Sequence, residues 1–125
     1  MTFQHQELAA GRWKQLSFAE QMANVGSEIE RTIAWGKKER PDYSRRAFER
    51  ALELLDLTIA DEKNRARLRE LLRVREALAD FFVFDNEYRS SSEAWRRYFH
   101  SFLIAARMTN GVARTAKAQP AAQAE

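Results

Sequence analysis

The chain has 125 residues, enough for one domain with a sizeable core, and its 45% hydrophobic and 31% charged residues are typical of a soluble globular protein. The absence of cysteine excludes disulfides, thiolate metal ligands and a cysteine nucleophile, and no apolar run approaches the roughly 20 residues that span a bilayer. The formal net charge of +3 is too small to indicate a nucleic-acid partner by itself. The N-terminus lacks a signal-peptide pattern, so we expect a cytoplasmic protein.

The first predicted helix begins at Ser17. Ser17 and Glu20 have the spacing of a capping box, in which each side chain bonds the backbone N–H of the other residue. Apolar residues then recur at intervals of three and four, which predicts one buried helix face: Phe18, Met22, Val25, Ile29 and Ile33. Gly26 and Gly36 lie on the same face, so we expect another helix to approach this backbone closely.

The second predicted helix runs from about Asp42 to Ala60, after Pro41 has interrupted the chain. Its apolar arc is wide and predicts contact with more than one neighbour, a second subunit included. The arc comprises Phe48, Ala51, Leu52, Leu55 and Ile59, with Ala47 and Leu54 on one flank. Leu57 lies on the opposite side of the helix, so we predict that it is an oligomer contact.

The third predicted helix spans about Glu62 to Phe84, with Asp61 as its cap, and it places Arg75 near the centre of its apolar arc. A buried charge needs a partner. Asp56 and Glu28 flank the apolar faces of the two preceding helices, and we predict a structural ion pair between Arg75 and Asp56. The alternative is a polar pocket in which Arg75 anchors an anionic ligand.

A fourth helix follows the polar turn "FDNEYRSSSEAW", and its expected cap is either Ser90 with Glu93, or Ser91 or Ser92 alone. The predicted buried face of this helix is rich in aromatic side chains: Trp95, Tyr98, Phe99, Phe102, Leu103 and Ala106. Four amphipathic helices with three short connections predict an all-α fold, an antiparallel up-down-up-down four-helix bundle.

The predicted bundle covers residues 17–108, and we expect the two ends of the chain to lie outside it. Residues 1–16 form an N-terminal arm, whose Trp13 fits either a short packed helix or a contact with a partner. Residues 109–125 are rich in alanine and glutamine and also contain glycine and proline. This composition predicts a disordered C-terminal tail.

Two groups of basic residues follow the outer flanks of the third and fourth predicted helices. Arg65, Arg69 and Arg73 recur at intervals of four, a row of about 6 Å per step that matches successive phosphates. The fourth helix carries a second basic group: Arg96, Arg97, His100 and Arg107. The alternative is a solvated face with intrahelical pairs such as Glu70 with Arg73, and spacing alone favours that alternative.

Motifs for catalysis are missing from the sequence. It contains no glycine-rich phosphate loop, no HExxH and no pair of Glu-x-x-His segments as in di-iron bundles. His100 is the one histidine of the predicted bundle, and a single histidine beside arginines is more often a surface residue than a general base. We therefore predict that the protein is not an enzyme and holds no metal or cofactor. An activity that uses His100 with Arg96 is the remaining alternative.

Two helical segments carry a family resemblance: "RRAFERALELLDLTI", residues 45–59, and "RLRELLRVREALADFF", residues 67–82. In architecture, helix order and the arginine-rich third helix, the chain resembles bacterial four-helix-bundle proteins encoded in intervening sequences of large-subunit ribosomal RNA. It also resembles their relatives, the accessory variability determinants of diversity-generating retroelements. The resemblance implies self-association into a ring and a basic surface for structured RNA, or for a reverse transcriptase with its RNA. The implied phosphate contacts are Arg65, Arg69, Arg73, Arg96, Arg97 and Arg107.

Two functional hypotheses follow. The first is a non-enzymatic, oligomeric helical bundle that binds nucleic acid, with RNA favoured over DNA, as an accessory subunit. The second is a protein–protein interaction module without nucleic acid. Leu57, Ile104 and Trp35 motivate the second hypothesis, because each is apolar and lies off the core face of its own helix.

Overall fold

The structure, a computed structural model, describes residues 10–124, with side chains for residues 10–109. Residues 10–14 are helical and precede four long helices, with one 3₁₀ helix between the second and the third. The elements are α1 (Phe18–Lys37), α2 (Pro41–Ala60), the 3₁₀ helix (Glu62–Arg67), α3 (Leu68–Phe82) and α4 (Ser92–Ala124). No strand occurs among the described residues, which confirms the predicted all-helical class.

Side-chain caps define where α1 and α4 begin. The Glu20 N–H donates to Ser17 Oγ at 3.1 Å, and the Ser17 N–H donates to Glu20 Oε1 at 3.0 Å, so the predicted capping box is confirmed. At α4 the Ala94 N–H donates to Ser91 Oγ at 3.1 Å. Ser91 alone, one of the expected alternatives, is therefore the cap of the fourth helix.

The segment predicted as one helix over Glu62 to Phe84 is divided. Its first six residues form the 3₁₀ helix, in which Asp61 Oδ1 accepts from the Lys63 N–H at 3.2 Å. The side chain of Asn64 is buried and donates to the Thr58 carbonyl oxygen at 2.9 Å. A regular helix that starts at Glu62 does not predict this contact. Tertiary hydrogen bonds thus override the helical periodicity here, and α3 begins only at Leu68.

The core forms around α1, which packs against both α2 and α4, while α3 packs against α2. The buried core consists of Trp13, Met22, Val25, Ile29, Ile33, Phe48, Ala51, Leu55, Leu71, Val74, Leu78, Trp95 and Phe99. Trp13 belongs to the segment assigned to an N-terminal arm, and the structure places it in this core. The first of its two alternatives, a packed helical stretch, therefore describes residues 10–14. Residues 1–9 of the arm lie outside the described part of the chain.

Trp13 also belongs to a buried polar cluster of five hydrogen-bonded side chains from four segments: Trp13, Gln21, Thr58, Asp61 and Asn64. Trp13 Nε1 donates to Thr58 Oγ1 at 2.9 Å, and Gln21 Nε2 donates to Asp61 Oδ2 at 2.9 Å. Asn64 Nδ2 donates to Gln21 Oε1 at 2.8 Å. These bonds connect the helical stretch of residues 10–14 to α1, the end of α2 and the 3₁₀ helix. Sequence periodicity did not predict the cluster.

The backbone of helix α4 is described as far as Ala124, and the disordered tail expected for residues 109–125 stays a prediction. Many residues of this segment are alanine, the strongest helix former, and they continue the helix that begins in the bundle. Side chains after Thr109 lie outside the described set. Within the described chain, no helix is long and apolar enough to cross a membrane.

Candidate nucleic-acid interface

The α3 basic surface consists of Arg65, Arg69 and Arg73, and all three side chains are exposed. Arg69 and Arg73 lie one helical turn apart on α3. Arg65 lies in the 3₁₀ helix, so the even α-helical spacing expected for all three residues holds only from Arg69 onward. None of the three guanidinium groups has an ion-pair or hydrogen-bond partner among the described residues.

The intrahelical pair of Glu70 with Arg73, which was the example given for a solvated face, is absent. Glu70 Oε1 instead accepts from Arg67 Nη1 at 3.5 Å, and Glu70 Oε2 accepts from the Tyr98 hydroxyl of α4 at 3.0 Å. Burial of the phenol raises the pKa of Tyr98 well above its ordinary value, and the adjacent Glu70 carboxylate raises it further. Tyr98 therefore stays protonated and keeps Glu70 turned toward α4, away from Arg73.

On α4 the predicted phosphate contacts divide into paired and unpaired groups. Arg96 forms a forked ion pair with Glu30 of α1, with Nε–Oε2 2.8 Å and Nη2–Oε1 2.9 Å. Arg97 and Arg107 are exposed, and within residues 10–109 neither has a partner. Arg96 thus connects α4 to α1. Three other residues, Arg97, His100 and Arg107, form what we call the α4 basic surface.

The two basic surfaces are not joined by any contact among the described side chains. Arg96 contacts Glu30 and so lies on the side of α4 that faces α1, while Tyr98 contacts Glu70 on the side that faces α3. The α4 basic surface follows the first of these sides and the α3 basic surface lies beyond the second. A ligand that contacts both surfaces must therefore reach two different sides of α4.

A groove of about 620 Å³ lies between α1 and α4 beside the Arg96–Glu30 pair. Its lining is mainly apolar with a basic rim: Ala23, Gly26, Ser27, Ile29, Glu30, Arg31, Trp95, Arg96, Arg97, Phe99, His100 and Leu103. Trp95 is buried, and its Nε1 has no hydrogen-bond partner in the part of the chain that the structure describes. The sequence reasoning missed this groove, because its two walls are more than 60 residues apart in the chain.

Arg75 forms the ion pair with Asp56 that was expected from the sequence. Its Nε lies 2.7 Å from Asp56 Oδ1 and its Nη2 lies 3.3 Å from Oδ2. The pair is not buried: the Arg75 side chain is 39% exposed and that of Asp56 is 52% exposed. The guanidinium thus reaches the edge of the core, and Glu28, the other candidate partner, pairs with Arg31 of its own helix.

The apolar residues proposed as oligomer contacts do not share one environment. Leu57 is half-buried and packs against the core, so it is not a free residue on the outside of α2. Trp35 packs on Tyr43, with ring centroids 4.8 Å apart, and Ile104 is exposed. The helix wheel did not predict that Leu57 packs against the core.

A different apolar surface is exposed along α3 and the turn that follows it. We call it the α3 apolar stripe, and it consists of Leu68, Leu72, Phe84 and Tyr88. The turn is held by Asp80, which accepts from the Glu87 and Tyr88 N–H groups at 2.8 and 3.0 Å. Asp80 is itself buried. Phe84 and Tyr88, which are 72% and 58% exposed, remain outside the core.

Among the described residues, no cluster of histidine, aspartate and glutamate is suited to a metal ion. Searches of known protein families, of curated protein sequences and of solved structures found no match to the chain. The protein is therefore described by its own structural features alone. It is a small helical protein with two arginine surfaces and one apolar stripe on its outside.

Proposed function

We propose that the protein is a non-enzymatic, oligomeric helical bundle that binds structured nucleic acid, RNA more readily than DNA, as an accessory subunit. One observation carries the proposal: five of the six arginines assigned to phosphate contacts are exposed without an acidic partner in the described region. They are Arg65, Arg69, Arg73, Arg97 and Arg107.

Four of the described arginines do have carboxylate partners: Arg31, Arg67, Arg75 and Arg96. The chain contains 18 acidic residues for 21 lysines and arginines, so acidic partners are not scarce. Arginines left unpaired at the surface present planar, permanently charged groups whose geometry suits phosphate oxygens.

The separation of the two basic surfaces favours a folded nucleic acid over a short strand. We infer that the four helices form an antiparallel up-down-up-down bundle, because α1 joins α2 through residues 38–40 and α3 joins α4 through the hydrogen-bonded turn of residues 83–91. The resemblance to intervening-sequence proteins and accessory variability determinants also favours structured RNA, and a reverse transcriptase is then a candidate partner. Self-association of the bundle belongs to the same proposal.

The test is a binding titration of a labelled RNA hairpin at several salt concentrations. We expect the triple variant Arg65→Gln, Arg69→Gln, Arg73→Gln to bind roughly tenfold or more weakly. We also expect the slope of log affinity against log salt to fall by about 2–3, because each lost phosphate contact removes about one unit.

A matched control separates this surface from net charge. The variant Arg12→Gln, Arg45→Gln, Arg50→Gln removes three exposed arginines that also lack partners in the described chain. We expect it to keep most of the affinity. Equal losses in both triple variants would mean that total charge alone drives binding and would contradict an α3 interface.

The second candidate, a protein–protein interaction module, is supported by the α3 apolar stripe. Leu72, Phe84 and Tyr88 line one shared surface depression, and a contiguous exposed apolar patch is typical of a contact region. If this stripe mediates assembly, Leu72→Glu should reduce the mass in solution by light scattering while leaving the helical circular dichroism unchanged. A variant of native mass would remove this support.

A further inference from the structure

We propose that the groove between α1 and α4 accepts one unstacked nucleotide of a bound RNA. Its base would lie against the apolar floor and Trp95, and its phosphate at Arg97 and His100. This inference rests on the proposed function and adds to it a site that distinguishes an RNA with an extruded nucleotide from a fully paired one.

The shape of the groove is the first argument. The helices touch where Gly26 faces Phe99, since a Cβ built on Gly26 would lie 2.6 Å from Phe99 Cβ. Beside that contact they leave about 620 Å³ above a floor that includes Ala23, Ile29 and Leu103. This volume is in the range of about 300–1,000 Å³ typical of small-molecule sites. A flat group with apolar faces suits such a floor.

The second argument is the unsatisfied donor. Trp95 is 8% exposed, and its Nε1 is the one buried side-chain polar atom in the described chain without a hydrogen-bond partner. The indole of Trp13, by contrast, donates to Thr58 at 2.9 Å. Buried donors are nearly always satisfied, and an unsatisfied donor on a residue that lines a groove favours an acceptor supplied from outside. Nucleobases carry ring nitrogens and carbonyl oxygens on their edges.

The third argument is charge. The groove lining contains three arginines and one glutamate, a formal sum of +2. Arg31 and Arg96 are engaged with Glu28 and Glu30, while Arg97 and His100 have no partner in the described chain. A nucleotide brings a flat body, an acceptor edge and an anion in one unit. An acidic peptide would need an aromatic and an acidic residue at the right spacing to supply the same groups.

The experiment compares two RNA hairpins that differ by one bulged adenine. The full chain is titrated with each hairpin while the three indole N–H signals are followed by ¹H–¹⁵N NMR, with the Trp95 signal assigned by Trp95→Phe. We expect the bulged hairpin to shift the Trp95 signal and to bind at least about fivefold more tightly, the effect of about one net hydrogen bond. The paired hairpin should leave that signal in place. Less than 1 Å² of Nε1 is exposed, so neighbouring side chains must move on binding.

Trp95→Phe should abolish the preference for the bulged hairpin while keeping the affinity for the paired one. If Trp95→Phe does not fold, the surface variant Arg97→Gln, His100→Gln replaces it, with Arg45→Gln, Arg50→Gln as control. This variant should lower the affinity for the bulged hairpin selectively.

The outcomes separate this inference from the proposed function. An unmoved Trp95 signal with both hairpins bound overturns the nucleotide site and leaves RNA binding intact. A shift that both hairpins cause equally overturns nucleotide insertion. No binding of either hairpin overturns both proposals, and a shift caused by a polyglutamate peptide instead would assign the groove to an acidic protein partner.

Discussion

Arg75 and Asp56 connect α3 to α2 through two hydrogen bonds of 2.7 and 3.3 Å. The aliphatic part of an arginine covers apolar surface while its head remains in water, which is how a charged residue fits near the middle of an apolar arc. Because both side chains are more than one third exposed, water screens their attraction. The pair therefore orients two helices and contributes little to the free energy of folding.

A double-mutant cycle tests this reading. We expect Arg75→Gln and Asp56→Asn to show a coupling free energy of roughly 0.2–1 kcal/mol, the range of solvent-exposed pairs, in urea unfolding. A coupling of about 3 kcal/mol or more would mean that the pair is effectively buried and would contradict its position at the edge of the core.

Asp61 is the charged member of the buried polar cluster. Burial alone would raise the pKa of its carboxyl group, but hydrogen bonds from Lys63 and Gln21 outweigh burial and hold that pKa below the ordinary value. The carboxylate bonds the Lys63 ammonium at 2.7 Å and also accepts from the Lys63 N–H. A depressed pKa in the folded state means that the ionised carboxylate stabilises the fold above the unfolded-state pKa of about 4.

The stability conferred by Asp61 should therefore be lost as the pH falls below about 4 and through the lower pKa of the folded state. In Asp61→Asn the new amide would place an NH₂ group against donors of Gln21 or Lys63, and we expect a loss of about 1–2 kcal/mol at pH 7. The difference in unfolding free energy between the parent protein and Asp61→Asn should be constant from pH 5 to 8 and shrink below pH 4.

The exposed neighbour Glu62 provides the control for this experiment, because its side chain makes no hydrogen bond to the described residues. Glu62→Gln should change stability by less than about 0.5 kcal/mol at pH 7. A difference between the parent protein and Asp61→Asn that does not vary with pH would show that the Asp61 carboxylate is not linked to folding.

At the scale of the elements, the contact of α1 with α4 depends on Gly26. A Cβ at this position would come within 2.6 Å of Phe99 Cβ, closer than non-bonded carbon atoms approach. Phe99 is itself buried in the core, so it has little freedom to move away. The absence of a side chain at Gly26 thus sets the distance between the two helices.

We expect Gly26→Ala to destabilise the protein by about 1–3 kcal/mol through overpacking, despite the better helix propensity of alanine. Gly36→Ala is the matched control on the same helix, since the nearest atom to its Cβ would be Ser44 Oγ at 3.8 Å. It should be neutral or stabilising by up to about 1 kcal/mol. Thermal unfolding of both variants measures the contrast, and equal effects would contradict the close approach at Gly26.

Local signals predicted the elements well where neighbouring residues decide the structure. The Ser17 capping box, the apolar faces of α1 and α4 and the close approach at Gly26 follow from spacing alone. The 3₁₀ helix does not, because the buried bonds of Asn64 to Gln21 and Thr58 join residues that are distant in sequence. Helical periodicity continued through Glu62–Arg67 and gave no sign of the change.

In the candidate interface too, features set by neighbouring residues were predicted, and features set by residues distant in sequence were not. Spacing predicted that Arg69 and Arg73 are exposed, since both lie opposite the apolar arc of α3. It did not predict that Arg96 is paired, because its partner Glu30 is 66 residues away. Nor did it predict that the arginines of α3 and α4 form two separate surfaces, which depends on how the helices are arranged around α1.

For the whole molecule, an oligomeric bundle that binds nucleic acid should have the mass of an oligomer and should carry nucleic acid through purification. The direct measurement is size-exclusion chromatography with light scattering, recorded at 260 and 280 nm, before and after treatment with nuclease and high salt. We expect an oligomer of defined mass with co-eluting nucleic acid that ribonuclease or high salt removes. A monomeric protein peak that is free of nucleic acid and does not bind added structured RNA at low salt would contradict both the oligomeric state and the nucleic-acid ligand.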